Sequence, residues 1–325
     1  MPPGPDAGYT PGVSTRILRF ILGLTGSVAL GLQLPTLQAD SAVLTSVADT
    51  TLIETAPDYN LGGALIVNAG TTQNFTRNRG LFRFDPTGQI PSGSHITKVD
   101  FVVVVSGQPK DGYTSSSFGL HRILKPWGEG DKESPDTVHP GQGAPATVGE
   151  ATWNFRFAFT TNTWAVPGGA ATNDFAPEIS AETFVYGFGD SPYTFLSTPA
   201  LVADVQSWVD DPATNFGWML ICRSEEANFT ARRFASREDA GNAPQLLIEY
   251  VPPPQIDLIT VTNGQLNLTF AAQAGQSYGV EFRDSLSALT NWLTFTNLVA
   301  QPYATNVTVF DSVADQQRFY RLRLP

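Results

Sequence analysis

The chain has 325 residues, of which 42% are hydrophobic and only 15% charged, and its formal net charge is −11. That apolar content is enough to bury a sizeable core and excludes global disorder, while the acidic balance excludes a general attraction to nucleic acid or to an anionic membrane. The 29 glycines and 24 prolines favour short strands joined by turns over long helices.

At the N-terminus, Arg16 and Arg19 precede the apolar run Phe20 to Leu34, Pro35 interrupts it, and Leu37-Gln38-Ala39 places a small residue at a cleavage position. This is the order of a secretory signal peptide, so residues 1–39 are expected to be removed and the protein to be extracellular or held at the cell surface. The alternative is an uncleaved membrane anchor. Cleavage would leave no membrane segment, because no other apolar run is long enough to span a bilayer. Cys222 is the only cysteine, so the core must hold the fold without an internal disulfide.

From Ala48 onward, alternating segments predict strands near Asp49–Glu54, Leu65–Asn68, Gly80–Phe84, Ile96–Val105, Phe118–Leu124, Thr152–Phe159, Thr183–Phe188, Gly217–Arg223, Thr230–Ala235 and Gln245–Val251. One segment breaks the pattern. In "STPALVADVQSWVDDP", Leu201, Val205, Trp208 and Val209 fall at helical spacing, Ser197 or Thr198 can cap, Pro199 suits the first turn and Pro212 stops the helix. The prolines of "VPPPQ" make residues 252–255 a stiff linker, separating a main domain (43–251) from a terminal one (256–325). The terminal segment carries at least five strands, including two around Ala274-Gly275 with Leu266, Leu268 and Phe270 on one face. The fold class expected is all-β: a jelly-roll-like β-sandwich with one short helix, followed by a small β-sandwich.

The blocks "ADTTLIETAPDYNLGG" (48–63), "RNRGLFRFDPTGQIPSGSHITKVDF" (77–101), "GLHRILKPWGEGD" (119–131), "TW" (152–153), "LVADVQSWVDDPATNFGWML" (201–220) and "FASREDAGNAPQLLIEY" (234–250) occur in an order that resembles the DNRLRE domain family. That family is related to disaggregatase-type modules and to an alginate-binding carbohydrate module family. The resemblance covers about 200 residues and implies a jelly roll of the kind appended to secreted enzymes and surface proteins. "AGQSYGVEFRDSL" and "RFYRLRLP" are similar to a small fibronectin- or immunoglobulin-like domain.

No catalytic constellation is recognisable. His95, His121 and His139 lack metal-ligand spacing, there is no GxSxG elbow, and Glu129, Asp131, Glu133 and Asp136 read as a solvated acidic loop. Jelly-roll carbohydrate modules use calcium to pin their termini, and Asp49, Asp131, Glu133 and Asp136 are the candidate ligands for such a structural ion. Stacking on a sugar needs an exposed ring, for which Tyr113, Trp164 and Tyr193 are the loop aromatics available, each also readable as a packed ring. Arg77, Arg79, Arg232 and Arg233 are the densest basic residues of the main domain and would form any patch for an acidic glycan, although adjacent Arg232 and Arg233 must point to opposite faces of a strand. Arg237 and Glu238 read as a structural clamp, with Arg79, Arg83 and Asp85 as candidate counterparts.

The reading is an exported, non-catalytic polysaccharide-binding protein, with an acidic glycan favoured slightly over a neutral one because of the resemblance. A structural or adhesive protein is the alternative, and a polysaccharide-cleaving lyase or hydrolase is third. The identity of the glycan, the oligomeric state and the role of the terminal domain stay open. Export predicts that mass spectrometry of secreted material will find a new N-terminus at or near Asp40; an intact Met1 on membrane-bound protein would contradict it.

Overall fold

The computed structural model describes residues 39–262, 264–287, 291–312 and 318–324. The expected signal sequence lies outside the described residues apart from Ala39. Among the described residues no helix is long and apolar enough to cross a membrane.

The first sandwich is built from β1 (Asp40–Ile53), β2 (Tyr59–Asn60), β3 (Ile66–Thr71), β4 (Arg77–Phe84), β5 (His95–Val103), β6 (Val105–Gly107), β7 (Ser116–Arg122), β8 (Ala144–Pro145), β9 (Ala181–Val185), β10 (Tyr193–Phe195), helix α1 (Pro199–Asp210), β11 (Trp218–Cys222), β12 (Arg232–Ala235) and β13 (Gln245–Val251). Its strands pair antiparallel in the order β10-β5-β13-β1-β4-β11-β7-β9, and β12 bridges β3 and β6. The 14-residue β1 serves both sheets. Its first half pairs with β13 through Thr45, and from Ser46 it pairs with β4 after a register shift. Such an irregularity bends a strand and lets it turn a corner between layers.

Alternation decides which side chains fill the interior. Phe82 and Phe84 of β4 point inward with Phe118, Trp218 and Phe234. Phe101 lies among Phe82, Phe84, Phe195 and Trp218 at ring separations of 5.4–6.5 Å. Helix α1 closes one end with the residues its spacing selects, Leu201, Val205, Trp208 and Val209, and Trp208 packs 4.4 Å from Trp218. Thr198 caps the helix by accepting the Leu201 N–H, whereas the Ser197 hydroxyl accepts from the Val99 N–H on β5.

The opposite face of β4 and β11 also carries an apolar strip, set beside the arginines of β4. Leu81, Met219 and Ile221 are covered there by Trp127, Trp153, Trp164 and Phe175. These four rings come from the segment between Ile123 and Ser180, which contains almost no regular structure. The strand expected at Thr152–Phe159 does not form; apart from one isolated bridge, Phe155 to Thr163, the chain there is turns and loops. Alternation misleads in this stretch because its buried rings serve as cover and belong to no sheet.

The small C-terminal sandwich sets β14 (Leu258–Thr262), β15 (Gln265–Ala272) and β18 (Thr305–Ser312) against β16 (Tyr278–Arg283), β17 (Leu293–Leu298) and β19 (Phe319–Arg323). Leu268, Phe270, Tyr278 and Val280 form its centre, with Leu266 partly buried beside them. The strands flanking Ala274-Gly275 lie in different sheets.

Gly217 enters β11 with φ +75°, and a Cβ there would lie 2.0 Å from the Phe82 carbonyl oxygen. Gly217→Ala should therefore cost about 3 kcal/mol or more, through left-handed strain and displacement of the β4–β11 pairing that both cores share, measured as a lowered urea midpoint. A midpoint equal to that of the native protein would contradict this.

Candidate functional site

Asn60 is fully buried and its amide is saturated. Its Nδ2 donates to the Glu129 and Ala151 carbonyls at 2.7 and 2.9 Å and to Thr50 Oγ1 at 3.3 Å, while its Oδ1 accepts from the Gly62 and Lys132 N–H groups. A Cβ on Gly62 or Gly63 would fall 2.3 Å from the Glu129 oxygen or 2.5 Å from the Asp131 oxygen. The run Asn60-Leu61-Gly62-Gly63 is thus a dock for the covering loop, which in turn fixes the walls beside it.

Those walls bound an open groove of about 870 Å³. One wall is the Thr55–Tyr59 stretch, where the pairing of β2 with β8 holds Tyr59 in place, 38% exposed. Asn68 of β3, Asn78 of β4 and Arg233 of β12 line it from the strands. The tight β3–β4 turn contributes Gln73 and Asn74; there the Thr72 N–H donates to the Thr76 carbonyl, and Phe75 adopts φ 58° at the tip. Gln108 to Asp111 and Val138 to Gln142 complete the rim, apart from Pro140. Six side-chain amides, those of Asn68, Gln73, Asn74, Asn78, Gln108 and Gln142, therefore line one depression. Its solvent-accessible charges balance, Lys110 and Arg233 against Asp58 and Asp111; the buried Arg232 also borders it, with its guanidinium enclosed by backbone carbonyls. A smaller hollow of about 300 Å³ between Pro86–Ser92 and the end of α1 carries only one charged group, Asp210.

The structure redistributes the residues singled out in the sequence. Of the three stacking candidates, Tyr113 is exposed, but Trp164 and Tyr193 are buried. Trp164 donates its indole N–H to the Thr152 carbonyl under the covering loop, and the Tyr193 hydroxyl donates to the Gly187 carbonyl. Neither can stack on a ligand. The basic patch does not form either. Arg77 is bound to Glu54, and Arg79 to Glu225 at 2.7 Å and to the Gly168 and Gly169 carbonyls. Arg232 is 1% exposed, with its guanidinium donating to the carbonyls of Thr114, Tyr186, Phe229, Thr230 and Ala231. Arg232 and Arg233 both border the groove, but of the two only Arg233 is accessible there.

The calcium candidates do not converge. Among the described residues no three Asp, Glu, His or Cys side chains are placed to hold a metal ion. Asp131 pairs with Lys132, Asp136 binds His139 Nδ1 at 2.6 Å, Glu133 is exposed, and Asp49 is buried elsewhere. His121 is packed, with its Nδ1 2.9 Å from the Ala176 carbonyl.

Arg237 and Glu238 lie away from the groove lining. Arg237 Nε is 2.5 Å from Glu129 and 3.0 Å from Glu238, and its backbone N–H donates to Asp49 Oδ2 at 2.9 Å. The Asp49 N–H donates to the same Glu129 carboxylate at 2.8 Å. The partners of the pair are thus β1 and the covering loop, and not Arg79, Arg83 or Asp85; Arg83 lies over the Trp127 ring instead. Two carboxylates share one guanidinium here and a third, Asp49, takes the backbone N–H of the same residue; Asp49 Oδ1 and Glu238 Oε2 are buried without a hydrogen-bond partner. Burial pushes the Asp49 carboxyl up to about 7, opposed by the Arg237 N–H and reinforced by the Glu238 charge; burial also raises Glu129, against its bond to Arg237.

A carboxyl whose pKa is raised on folding holds its proton more tightly in the native state. It contributes stability below its unfolded value of about 4, and that contribution is lost as pH rises through about 7. The melting temperature should therefore fall between pH 5 and pH 8, and Asp49→Asn should flatten that fall; parallel curves for the two proteins would refute the assignment. Arg237→Ala, which leaves Glu129 and Glu238 without their cation in a partly exposed site, should cost about 1–2 kcal/mol by chemical denaturation.

Scanned against protein-family models the chain matches none, and no curated protein matches it.

Proposed function

We propose that the protein is an exported, non-catalytic polysaccharide-binding protein whose ligand lies in the amide-lined groove. One observation carries this reading: six carboxamides and Tyr59 line a single open depression whose solvent-accessible charges cancel. Carboxamides donate and accept at once, and so match the vicinal hydroxyls of a sugar, while an exposed ring offers an apolar face to its C–H groups. The open form of the groove suits a chain better than an enclosed small molecule. The sequence resemblance to carbohydrate-binding modules points in the same direction, and the order of an export signal agrees with an extracellular ligand.

The charge distribution supports a neutral glycan. A polyanion needs a concentration of unpaired cations, and Arg77, Arg79 and Arg232 are neutralised by carboxylates or enclosed by carbonyls. Binding through amides and rings is little affected by salt, because screening acts on charges.

A structural or adhesive role rests on a different feature. Strand β14 ends its sheet and exposes Leu258, Ile259 and Val261. An apolar edge of this kind favours strand-to-strand association. Lysine at Ile259 should abolish self-association if that edge is used, as light scattering would report.

The groove is tested by affinity electrophoresis in gels containing laminarin, xylan or galactomannan, with alginate as the polyanionic control. Retardation by a neutral polymer should persist from low to high salt. The pair Tyr59→Ala and Gln73→Ala should weaken it about tenfold or more with melting temperature nearly unchanged, since both side chains are exposed. Retardation by alginate alone, lost in high salt, would replace the neutral ligand by an acidic one. Release of new sugar ends, abolished in His139→Ala, would make the His139–Asp136 pair at the rim catalytic and the protein an enzyme.

A further inference from the structure

Beyond the groove, exposed aromatic side chains of the described residues gather at the end of β9. Phe184 and Tyr186 alternate with buried Val185, so both rings leave the same outward face, 46% and 55% exposed. Their centroids are 4.8 Å apart, with one ring edge toward the other. Phe188, two residues on, is 58% exposed, and Tyr113 is 46% exposed. Strand β9 ends the pairing order, bonded to β7 alone.

Tyr113 is held in place. The Arg232 guanidinium lies 4.9 Å from its ring centroid, a cation–π contact with a charge that is itself fixed by backbone carbonyls, among them that of Tyr186. A Cβ on Gly187 would stand 3.3 Å from the Tyr113 ring and hydroxyl, so the glycine admits the close approach of that ring. The rings are thus carried on a rigid support, which lowers the entropy lost when a ligand is stacked.

This aromatic surface continues from the groove. Gln108 lines the groove, and its Oε1 accepts the Phe188 N–H at 3.0 Å. The same oxygen lies 2.8 Å from where a Gly187 Cβ would be, next to Tyr113. The rim of amides ends where the rings begin. We infer that Tyr113, Phe184, Tyr186 and Phe188 form a second, stacking subsite for the continuation of the glycan chain that the groove holds. The inference rests on the groove binding a glycan. The occupant it fits is a neutral chain with exposed C–H faces, because the rings supply apolar surface and few hydrogen-bonding groups. The amides then select the sugar, and the rings reward length: a polymer that reaches both sites gains from the second at high effective concentration, which a short oligosaccharide cannot do.

The test compares the native chain with Tyr186→Ala/Phe188→Ala and with Tyr59→Ala/Gln73→Ala. The probes are laminarin and xylan in affinity gels and their trisaccharides by calorimetry. The backbone carbonyl of Tyr186 that Arg232 uses is retained in the first variant, so its melting temperature should change little. The expected result is a loss of about tenfold for the polymer with trisaccharide affinity unchanged, whereas the groove variant loses both. Equal polymer binding by the native chain and the Tyr186→Ala/Phe188→Ala variant would overturn the second subsite and leave the groove intact. Equal losses for polymer and trisaccharide in that variant would overturn the division of labour by making the rings the primary site. No binding of either polymer by the native chain would overturn the groove reading and the inference together.

Discussion

A sheet that is apolar on both faces needs a cover on each, and this requirement governs the first sandwich. Strands β4 and β11 bury apolar side chains on one face in the sandwich interior and on the other beneath the segment between Ile123 and Ser180. A helix would satisfy its own backbone while covering a sheet; an irregular chain cannot, so its N–H and C=O groups must find other partners. Buried polar side chains serve them. Asn60 bonds both the start and the middle of the segment, Asp174 accepts the Ala165 and Ala170 N–H groups, and Glu150 accepts that of Thr147 while binding Lys132. Without those partners the cover would have to expose either its backbone or Trp127, Trp153 and Trp164 to water. The groove depends on the same arrangement, because β8 and the Val138–Gln142 wall belong to that segment.

The same economy explains where the charges went. Arginines that the sequence crowds together are distributed by the fold to different tasks. Arg79 supports the Gly168-Gly169 turn and lies 5.8 Å from the Trp153 ring centroid, Arg232 gathers carbonyls behind Tyr113, and Arg237 joins the start of the covering loop to β1. Guanidinium suits all three positions, since its planar fork bonds several acceptors while its faces pack on rings. The Asp49 site has an excess of carboxylate over cation, and the buried carboxyl relieves it by keeping its proton toward neutral pH.

Much of this was legible in the sequence, and the remainder was not for identifiable reasons. The central strands and α1 follow periodicities that burial enforces, and Thr198 and Pro199 mark the helix start by local chemistry alone. The first part of β1, Asp40 to Val47, begins before the alternation becomes regular and was missed, as were the two-residue strands β2 and β8. The groove was hidden because its amides come from the β3–β4 hairpin and from two distant loops at Gln108 and Gln142, and isolated Asn or Gln carries no periodic signal. Phe184, Tyr186 and Phe188 did have a signal, aromatic residues at every second position of a predicted strand, although nothing in the pattern says which face meets solvent. Trp164 and Tyr193 were misplaced because a loop ring has no neighbours in sequence to reveal what lies above it.

All five tryptophans between Asp40 and Val251 are buried. The indole is the largest apolar side chain with a single donor, and that donor meets the Phe216 carbonyl before β11 at Trp127 and the Thr152 carbonyl of the cover at Trp164. Exposed ring surface in this sandwich therefore falls to tyrosine and phenylalanine. Leaving such rings on a terminal strand carries a hazard, since an apolar unpaired edge invites another chain. Charges stand at both ends of the run. Glu182, paired with Arg223 at 3.4 Å, precedes Phe184, and Asp190 follows Phe188, its carboxylate turned back toward the Gly187 N–H. Flanking carboxylates oppose the stacking of one β9 edge on another, because two copies would bring like charges together, yet they leave the ring faces open to an uncharged ligand. Charges placed at the ends of an exposed aromatic run thus do part of the work that a covering segment would otherwise do.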